Sequence, residues 1–385
     1  MTGMPEPPLN PFRFGTFVID EFADREVELA EVEADMRNGQ DLVIFAPRRL
    51  GKSSLVLKAG ATMRRKKGLV AYLNLMTTPN KARLAERLAA AIYADIAAPK
   101  AKLKERALAM FQGLRIAPTV IVDPIDGRLS FSFGFGHADA DIETTIEMLL
   151  ELPAKIAAER DQRVVLILDE FQEVVDLDPD FPKLLRSVFQ AQPDVCHIYL
   201  GSKRHVMRDL FSDANEPFWR SAKQMEIGLI PTDKFSRFVR RRFTATNKEL
   251  GPAVCDRLLG ITGGHPYATQ ELAYSLWEQT PFDEEADDDL LARALGLVLQ
   301  SEHAHFSLVW EGLSAGQRVL LEALAREPGR PLSGAYRARH QLSAPSSIQT
   351  ALKALVDREL VEREAGGGYR VMEPFLAQWL GEFVT

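Results

Sequence analysis

The stretch Val43-Ile44-Phe45-Ala46-Pro47-Arg48-Arg49-Leu50-Gly51-Lys52-Ser53-Ser54-Leu55 constrains this chain more than any other. An apolar run ends in a short loop, and Gly51-Lys52-Ser53 then opens a stretch of helical periodicity. This is the pattern of a loop that cradles phosphate. Its physics is local. The first N–H groups of a helix lack intrahelical partners, and the helix dipole places partial positive charge beside them. Gly51 permits close backbone approach to an anion. Lys52 brings an ammonium suited to β- and γ-phosphates, and the Ser53 hydroxyl suits Mg²⁺. Ala46, Pro47, Arg48, Arg49, Leu50, Gly51, Lys52, Ser53 and Ser54 are therefore the candidate nucleotide cradle. Ala46 stands where Gly is usual. The competing reading is an ordinary strand-to-helix turn without a ligand.

A second run, Arg163-Val164-Val165-Leu166-Ile167-Leu168-Asp169-Glu170-Phe171-Gln172, is continuously apolar up to two carboxylates. Such a run reads as a strand buried on both faces, as in a parallel sheet. Its C-terminal end is where open α/β sheets place their ligands. Asp169 is placed to hold Mg²⁺. Glu170 is placed to polarise an attacking water. Further strands are expected at 41–45, 69–75, 195–200 and 225–230, which makes a five-stranded parallel sheet of the α/β class. Ser202, after the strand ending in Gly201, is a candidate contact to the γ-phosphate or the water. Arg220 is a candidate transition-state arginine, acting in its own subunit or on a neighbour. A surface or ion-pair arginine is the alternative.

Residues 80–160 interrupt the sheet. A helical stretch at 80–112 precedes a hairpin, 120–123 with 129–135, around Asp126-Gly127. Another helix follows at 139–160. Phe131, Phe133 and Phe135 alternate on one face, as a packing stripe or a partner surface. Arg64-Arg65-Lys66-Lys67-Gly68 reads as a helix C-terminus whose charges complement the dipole, with a nucleic-acid patch as the alternative.

Beyond Pro231, a helix carries Arg237, Arg240, Arg241 and Arg242 opposite Phe235, Phe238, Val239 and Phe243. It is either a solvated basic face or an anion-facing patch. Gly263-Gly264-His265-Pro266 makes a turn into the next helix, and His265 is a turn residue or a phosphate sensor. An acidic loop at 283–289 precedes a helix at 290–302. From Leu313, three helices are followed by strands 360–364 and 369–372 joined through Gly366-Gly367-Gly368. This is winged-helix order, in which the third helix typically reads DNA. Arg337, Arg339, Gln349 and Lys353 are the candidate nucleic-acid contacts. Yet basic and acidic residues from Trp310 onward balance, nine of each. DNA readers typically show a clearer basic face, so protein contact stands as the other reading.

Composition sets outer limits. The chain has 385 residues and a formal net charge of −7, which argues against coating nucleic acid by bulk charge. Cys196 and Cys255 lie in no ligand spacing, so no zinc site or disulfide framework is expected. No apolar run reaches a membrane span, and the Pro-rich start lacks the order of a signal peptide. The expectation is a cytoplasmic protein.

These motifs together resemble the archaeal-type ATPases, a branch of the P-loop NTPases close to STAND and Orc/Cdc6-like AAA+ proteins. The residues carrying the resemblance are Phe22-Ala23-Asp24-Arg25-Glu26, Ala46 to Leu55, Leu168-Asp169-Glu170-Phe171-Gln172, Leu200-Gly201-Ser202, Gly263-Gly264-His265-Pro266, and the C-terminal Tyr369 to Leu380. The resemblance implies ATP and Mg²⁺ as cofactors. It implies that Lys52 and Ser53 bind phosphate and Mg²⁺, that Asp169 holds Mg²⁺, that Glu170 is catalytic and that Ser202 is a sensor. The expected layout is a tail at 1–12, an AAA+-like core at 13–230, a helical lid at 231–308 and an α+β winged-helix domain at 309–385. The expected function is slow ATP hydrolysis that switches binding of double-stranded DNA or a partner protein, with ATP-dependent homo-oligomers. A non-catalytic nucleotide-binding scaffold or DNA-binding regulator is the alternative.

Overall fold

The computed structural model describes residues 8–17, 22–94, 111, 113–122, 129–133, 138–364 and 366–384. The chain packs as two compact units, 25–228 and a second made of the N-terminal residues to Asp24 with 229 onward.

The first unit is built on a five-stranded sheet in the order β2-β5-β6-β1-β7. The strands are β1 (Leu42–Phe45), β2 (Leu69–Asn74), β5 (Val164–Asp169), β6 (Val195–Gly201) and β7 (Lys223–Glu226), and every neighbouring pair is parallel. Every residue of β1, β5 and β6 is buried, which is why β1 and Val164 to Leu168 read as unbroken apolar runs, while β6 also buries His197 between Asp41 and Gln192. Strand β7 begins two residues earlier than the apolar pattern of 225–230 indicates. Its partner β1 offers only Leu42 to Phe45, so pairing stops at Glu226, and Ile227 and Ile230 are buried outside the ladder.

Helices of this unit are α1 (Glu26–Asn38), α2 (Lys52–Arg65), α3 (Lys81–Ile92), α4 (Asp139–Arg160), α5 (Glu173–Leu177), α6 (Phe181–Phe189) and α7 (Arg204–Ser212). Arg64 at the end of α2 donates to the Val70 carbonyl and Arg65 to Thr62, which fits the helix-terminus account of this basic run. Between α3 and α4 lies the antiparallel hairpin β3 (Thr119–Val122) with β4 (Leu129–Ser132). Phe131 and Phe133 are buried, and Phe131 packs edge-on against Tyr93 and Phe111, so the stripe serves packing. Asp126-Gly127, Phe135 and residues 95–110 of the expected helix lie outside the described residues.

The second unit holds α8 (Thr232–Thr244), α9 (Pro252–Thr262), α10 (Pro266–Gln279) and α11 (Asp288–Glu311), with a short pairing of β8 (Glu249–Leu250) and β9 (Glu285–Ala286). Asp287 caps α11 through the Leu290 N–H, and the helix runs nine residues past its expected end at Glu302. Then come α12 (Ala315–Arg326), α13 (Gly334–Arg339), α14 (Pro345–Asp357), the β10 (Val361–Arg363) and β11 (Tyr369–Val371) wing, and α15 (Pro374–Phe383). Ser314 and Gln317 form a reciprocal capping box on α12. One continuous apolar core runs from Phe235 and Phe243 through Leu276, Leu299 and Leu321 to Leu355 and Trp379.

Residues 8–12 correct the expectation of a tail through residue 12, and the first unit begins at Arg25 rather than at the expected residue 13. Phe12 is fully buried and packs on Phe243 at 5.5 Å between ring centroids. Asn10 donates to the Tyr274 carbonyl and to Glu278, and Arg242 donates to the Pro11 carbonyl. An aromatic residue with an open apolar slot between helices outweighs the local Pro-rich bias.

Candidate functional site

The parallel sheet brings three strand ends to one edge. Strand β1 runs into the loop 46–51, and Gly51 takes φ 87° before α2 begins at Lys52. A side chain at Gly51 would meet no neighbour, so glycine is favoured there by backbone conformation rather than by space. Arg49 also adopts positive φ, at 65°. The loop is stitched to β6 where Ala46 N–H donates to the Gly201 carbonyl at 3.3 Å. Ala46 is fully buried, so its methyl lies inside the unit. Phe171 N–H donates to the Leu200 carbonyl at 2.7 Å, which ties the turn after β5 to the same strand.

Those stitches gather the chemistry. Lys52 Nζ lies 3.3 Å from Glu170 Oε1, and both side chains are almost fully buried. Ser53 Oγ donates to Asp169 Oδ2 at 2.7 Å, and the Glu170 N–H donates to Asp169 Oδ1 at 3.0 Å. Ser202 Oγ donates to Glu170 Oε2 at 2.6 Å. Glu170 sits at φ 54°, an uncommon conformation for a residue with a side chain, of a kind that clusters at functional sites. Burial alone would raise its carboxyl. The Lys52 charge and the hydrogen bonds from Ser202 and Gln172 outweigh that and hold it below its ordinary 4.5. The result is a buried, ionised carboxylate, the state needed to accept a proton.

Two members of this group were not assigned a role from sequence. Gln172 Nε2 donates to Glu170 Oε2 at 2.6 Å, while its buried Oε1 has no hydrogen-bond partner. Tyr72, on the neighbouring strand β2, donates to Asp169 Oδ2 at 2.6 Å. Burial first, and the facing Asp169 carboxylate second, push the Tyr72 phenol far above its ordinary 10.0, so it is the proton donor of the pair. A register argument could have found Tyr72. Asn74 pairs with Asp169, and Tyr72 stands two residues before Asn74 on the same strand face.

The donor set fits Mg²⁺ with phosphate. A hydroxyl and a carboxylate converge as hard oxygen ligands, beside a lysine and a helix N-terminus. Among the described residues no cluster of three or more His, Cys, Asp or Glu forms a metal cage. Mg²⁺ needs none, since it keeps waters and shares phosphate oxygens.

Arg220 is not gathered with these side chains. It sits at φ 49°, and its guanidinium lies over the half-exposed Trp219 ring at 5.3 Å. Other candidates take structural roles. His265 Nδ1 accepts from the Ala268 N–H as the cap of α10. On α8, Arg237 pairs with Asp233 at the surface, Arg240 donates to the Leu250 carbonyl, Arg241 lies over the Phe238 ring and Arg242 donates to Pro11. In the winged helix, Arg339 and His340 both engage Glu327, and Arg337 is half-buried. Gln349 and Lys353 are exposed on α14.

Residues 22–272 match the family model of an ATPase domain predominantly from Archaea. The chain belongs to this ATPase family. Residues 304–382 of the same ATPase-family chain match a probable winged helix domain. Its fold is similar to that of a Walker-type ATPase of Pyrococcus abyssi, with a TM-score of 0.65 at 15% identity over 95% of this chain and 98% of that one. It is also similar to the ORC2 protein of Aeropyrum pernix in ADPNP–ADP complexes, with a TM-score of 0.51 at 14% identity over 95% of each chain. No curated protein matches the sequence. The family match and the fold likeness bear out the expected P-loop ATPase-type α/β sheet with a C-terminal winged helix. No helix among the described residues is long and apolar enough to cross a membrane.

Proposed function

We propose that this ATPase-family protein binds ATP with Mg²⁺ at the edge formed by β1, β5 and β6 and hydrolyses it slowly, as a nucleotide-controlled switch in the cytoplasm. The observation that carries the reading is the convergence of Lys52, Ser53, Asp169, Glu170 and Ser202 from distant parts of the sequence. In it, the backbone of 46–54 and Lys52 hold phosphate, and Ser53 and Asp169 hold the cation. When bound, Mg²⁺ supplies charge neutralisation for the phosphates. Glu170, kept ionised, takes the proton of an attacking water, and Ser202 fixes the carboxylate that does so. Arg220, beside the exposed Trp219, acts on a neighbouring copy in an ATP-dependent oligomer. Within this reading, 25–228 is the ATPase core, 231–308 relays nucleotide state as a lid, and 309–385 carries the output. Radiolabelled ATP binding to wild type and Lys52→Ala tests the input. Equal binding by the two proteins refutes it.

The output is duplex DNA or a partner protein. Lys353 on α14 and Arg337 on α13 are the contacts that favour DNA. The specific observation favouring protein is that Glu327 neutralises Arg339, while the exposed face of α14 is mostly small and uncharged, with Ser346, Ser347, Gln349 and Thr350. Anisotropy of a labelled duplex, with and without ATP and across a salt series, separates them, since phosphate contacts weaken steeply with salt.

A further inference from the structure

Asp169 is held by three donors. Ser53 Oγ and Tyr72 Oη both reach Oδ2, at 2.7 and 2.6 Å, and the Glu170 N–H reaches Oδ1 at 3.0 Å. The carboxylate is 2% exposed, so these contacts, rather than solvent, fix its orientation. Tyr72 sits on the strand paired in register with β5, two residues before Asn74, which pairs with Asp169 and whose Oδ1 accepts from the Met76 N–H at 2.9 Å. The end of β2 therefore delivers the phenol to the one carboxylate oxygen that also faces Ser53. A tyrosine used only for packing on an edge strand has no need to place its hydroxyl there.

We propose that Tyr72 is a positioning residue that sets how tightly the site takes a divalent cation. Its phenol holds Asp169 Oδ2 toward Ser53, so the two oxygen groups meet the cation prearranged. Outer-shell hydrogen bonds of this kind orient ligands and tune their affinity. The inference rests on the nucleotide-site reading above.

The test uses the full chain and a fluorescent ATP analogue bearing a methylanthraniloyl group. Its binding is measured first in EDTA and then over a MgCl₂ titration, for wild type, Tyr72→Phe and Lys52→Ala. Tyr72→Phe keeps the ring and removes the hydroxyl, and thermal melting in parallel reports whether the fold is intact. The expected result is unchanged analogue affinity in EDTA, an unchanged melting midpoint, and an Mg²⁺ half-saturation point raised about 10–100-fold, the range typical of outer-shell partners. An unmoved Mg²⁺ half-saturation point in Tyr72→Phe overturns the inference and leaves the nucleotide site standing. Analogue binding already lost in EDTA, or a lowered melting midpoint, also overturns it, because the phenol then acts on the phosphate loop or the fold. Wild type that fails to bind the analogue, or binds it no better than Lys52→Ala, overturns the nucleotide site itself and this inference with it.

Discussion

Lys52 Nζ and Glu170 Oε1 meet at 3.3 Å across 118 residues of sequence. Each is the other's buried counter-charge, and each is also a group that the proposed chemistry requires. Removing either partner leaves an uncompensated charge in a buried place. Lys52→Ala is therefore expected to lose stability as well as ligand. The expected cost is about 2 kcal/mol, below the full value for a broken buried pair, because Ser202 and Gln172 still hold the carboxylate. Urea denaturation of the ligand-free protein reads it.

Acid sensitivity follows from the same pair. The folded Glu170 carboxyl lies below its ordinary 4.5. A depressed carboxyl contributes stability that is present above the unfolded value and lost as pH falls through the folded one. Stability of wild type is thus expected to decline below about pH 4.5. Glu170→Gln removes this contribution, so its stability curve is expected to be flatter over that acid range. Chemical denaturation from pH 6 down to 3 makes the comparison, and parallel curves refute the assignment.

Ser202 and Gln172 supply two of the influences that lower Glu170. Ser202→Ala removes the 2.6 Å donor. Loss of a hydrogen bond to a charged group is worth about 1.5–3 kcal/mol. With less to favour the ionised form, the acid limb of the kcat/KM profile is expected to move to higher pH. A limb that stays in place shows that another group sets it.

The N-terminal strap gives a prediction independent of the site. Phe12 is fully buried against Phe243. Phe12→Ala is expected to destabilise its unit by about 3–5 kcal/mol, the cost of deleting a buried aromatic side chain. Calorimetry measures it, and a loss under about 1 kcal/mol shows the strap to be dispensable.

For the winged helix, the duplex-DNA reading makes Lys353 a phosphate contact. Lys353→Ala is then expected to weaken binding about equally for all sequences and reduce the salt slope by about one. Wild-type binding that is absent or insensitive to salt assigns the exposed α14 face to a protein partner.

Much of this was legible because the physics is local. The Val164 to Leu168 run could only be a doubly buried strand, and its Asp169-Glu170 end follows from that placement. The Gly51-Lys52-Ser53 turn likewise fixes its own conformation. What was not legible depends on partners. Tyr72 is one residue in an unremarkable strand, and only the β2–β5 register aims it at Asp169. Gln172 lies in the second motif, but nothing local says that its amide turns back onto Glu170. Strand β7 is cut short by the length of β1, and the nine residues Phe181–Phe189 of α6 carry too brief a pattern to announce a helix. Phe12 is buried by a slot made hundreds of residues downstream.

The central claim is that Glu170 performs chemistry at a bound nucleotide rather than merely pairing with Lys52. The most direct measurement is single-turnover hydrolysis of radiolabelled ATP with Mg²⁺, comparing wild type with Glu170→Gln and scoring bound nucleotide in the same samples. The account predicts that Glu170→Gln binds ATP at least as well as wild type and cleaves it about 10²–10⁴-fold more slowly, as loss of a general base requires. Cleavage at the wild-type rate by Glu170→Gln would contradict it.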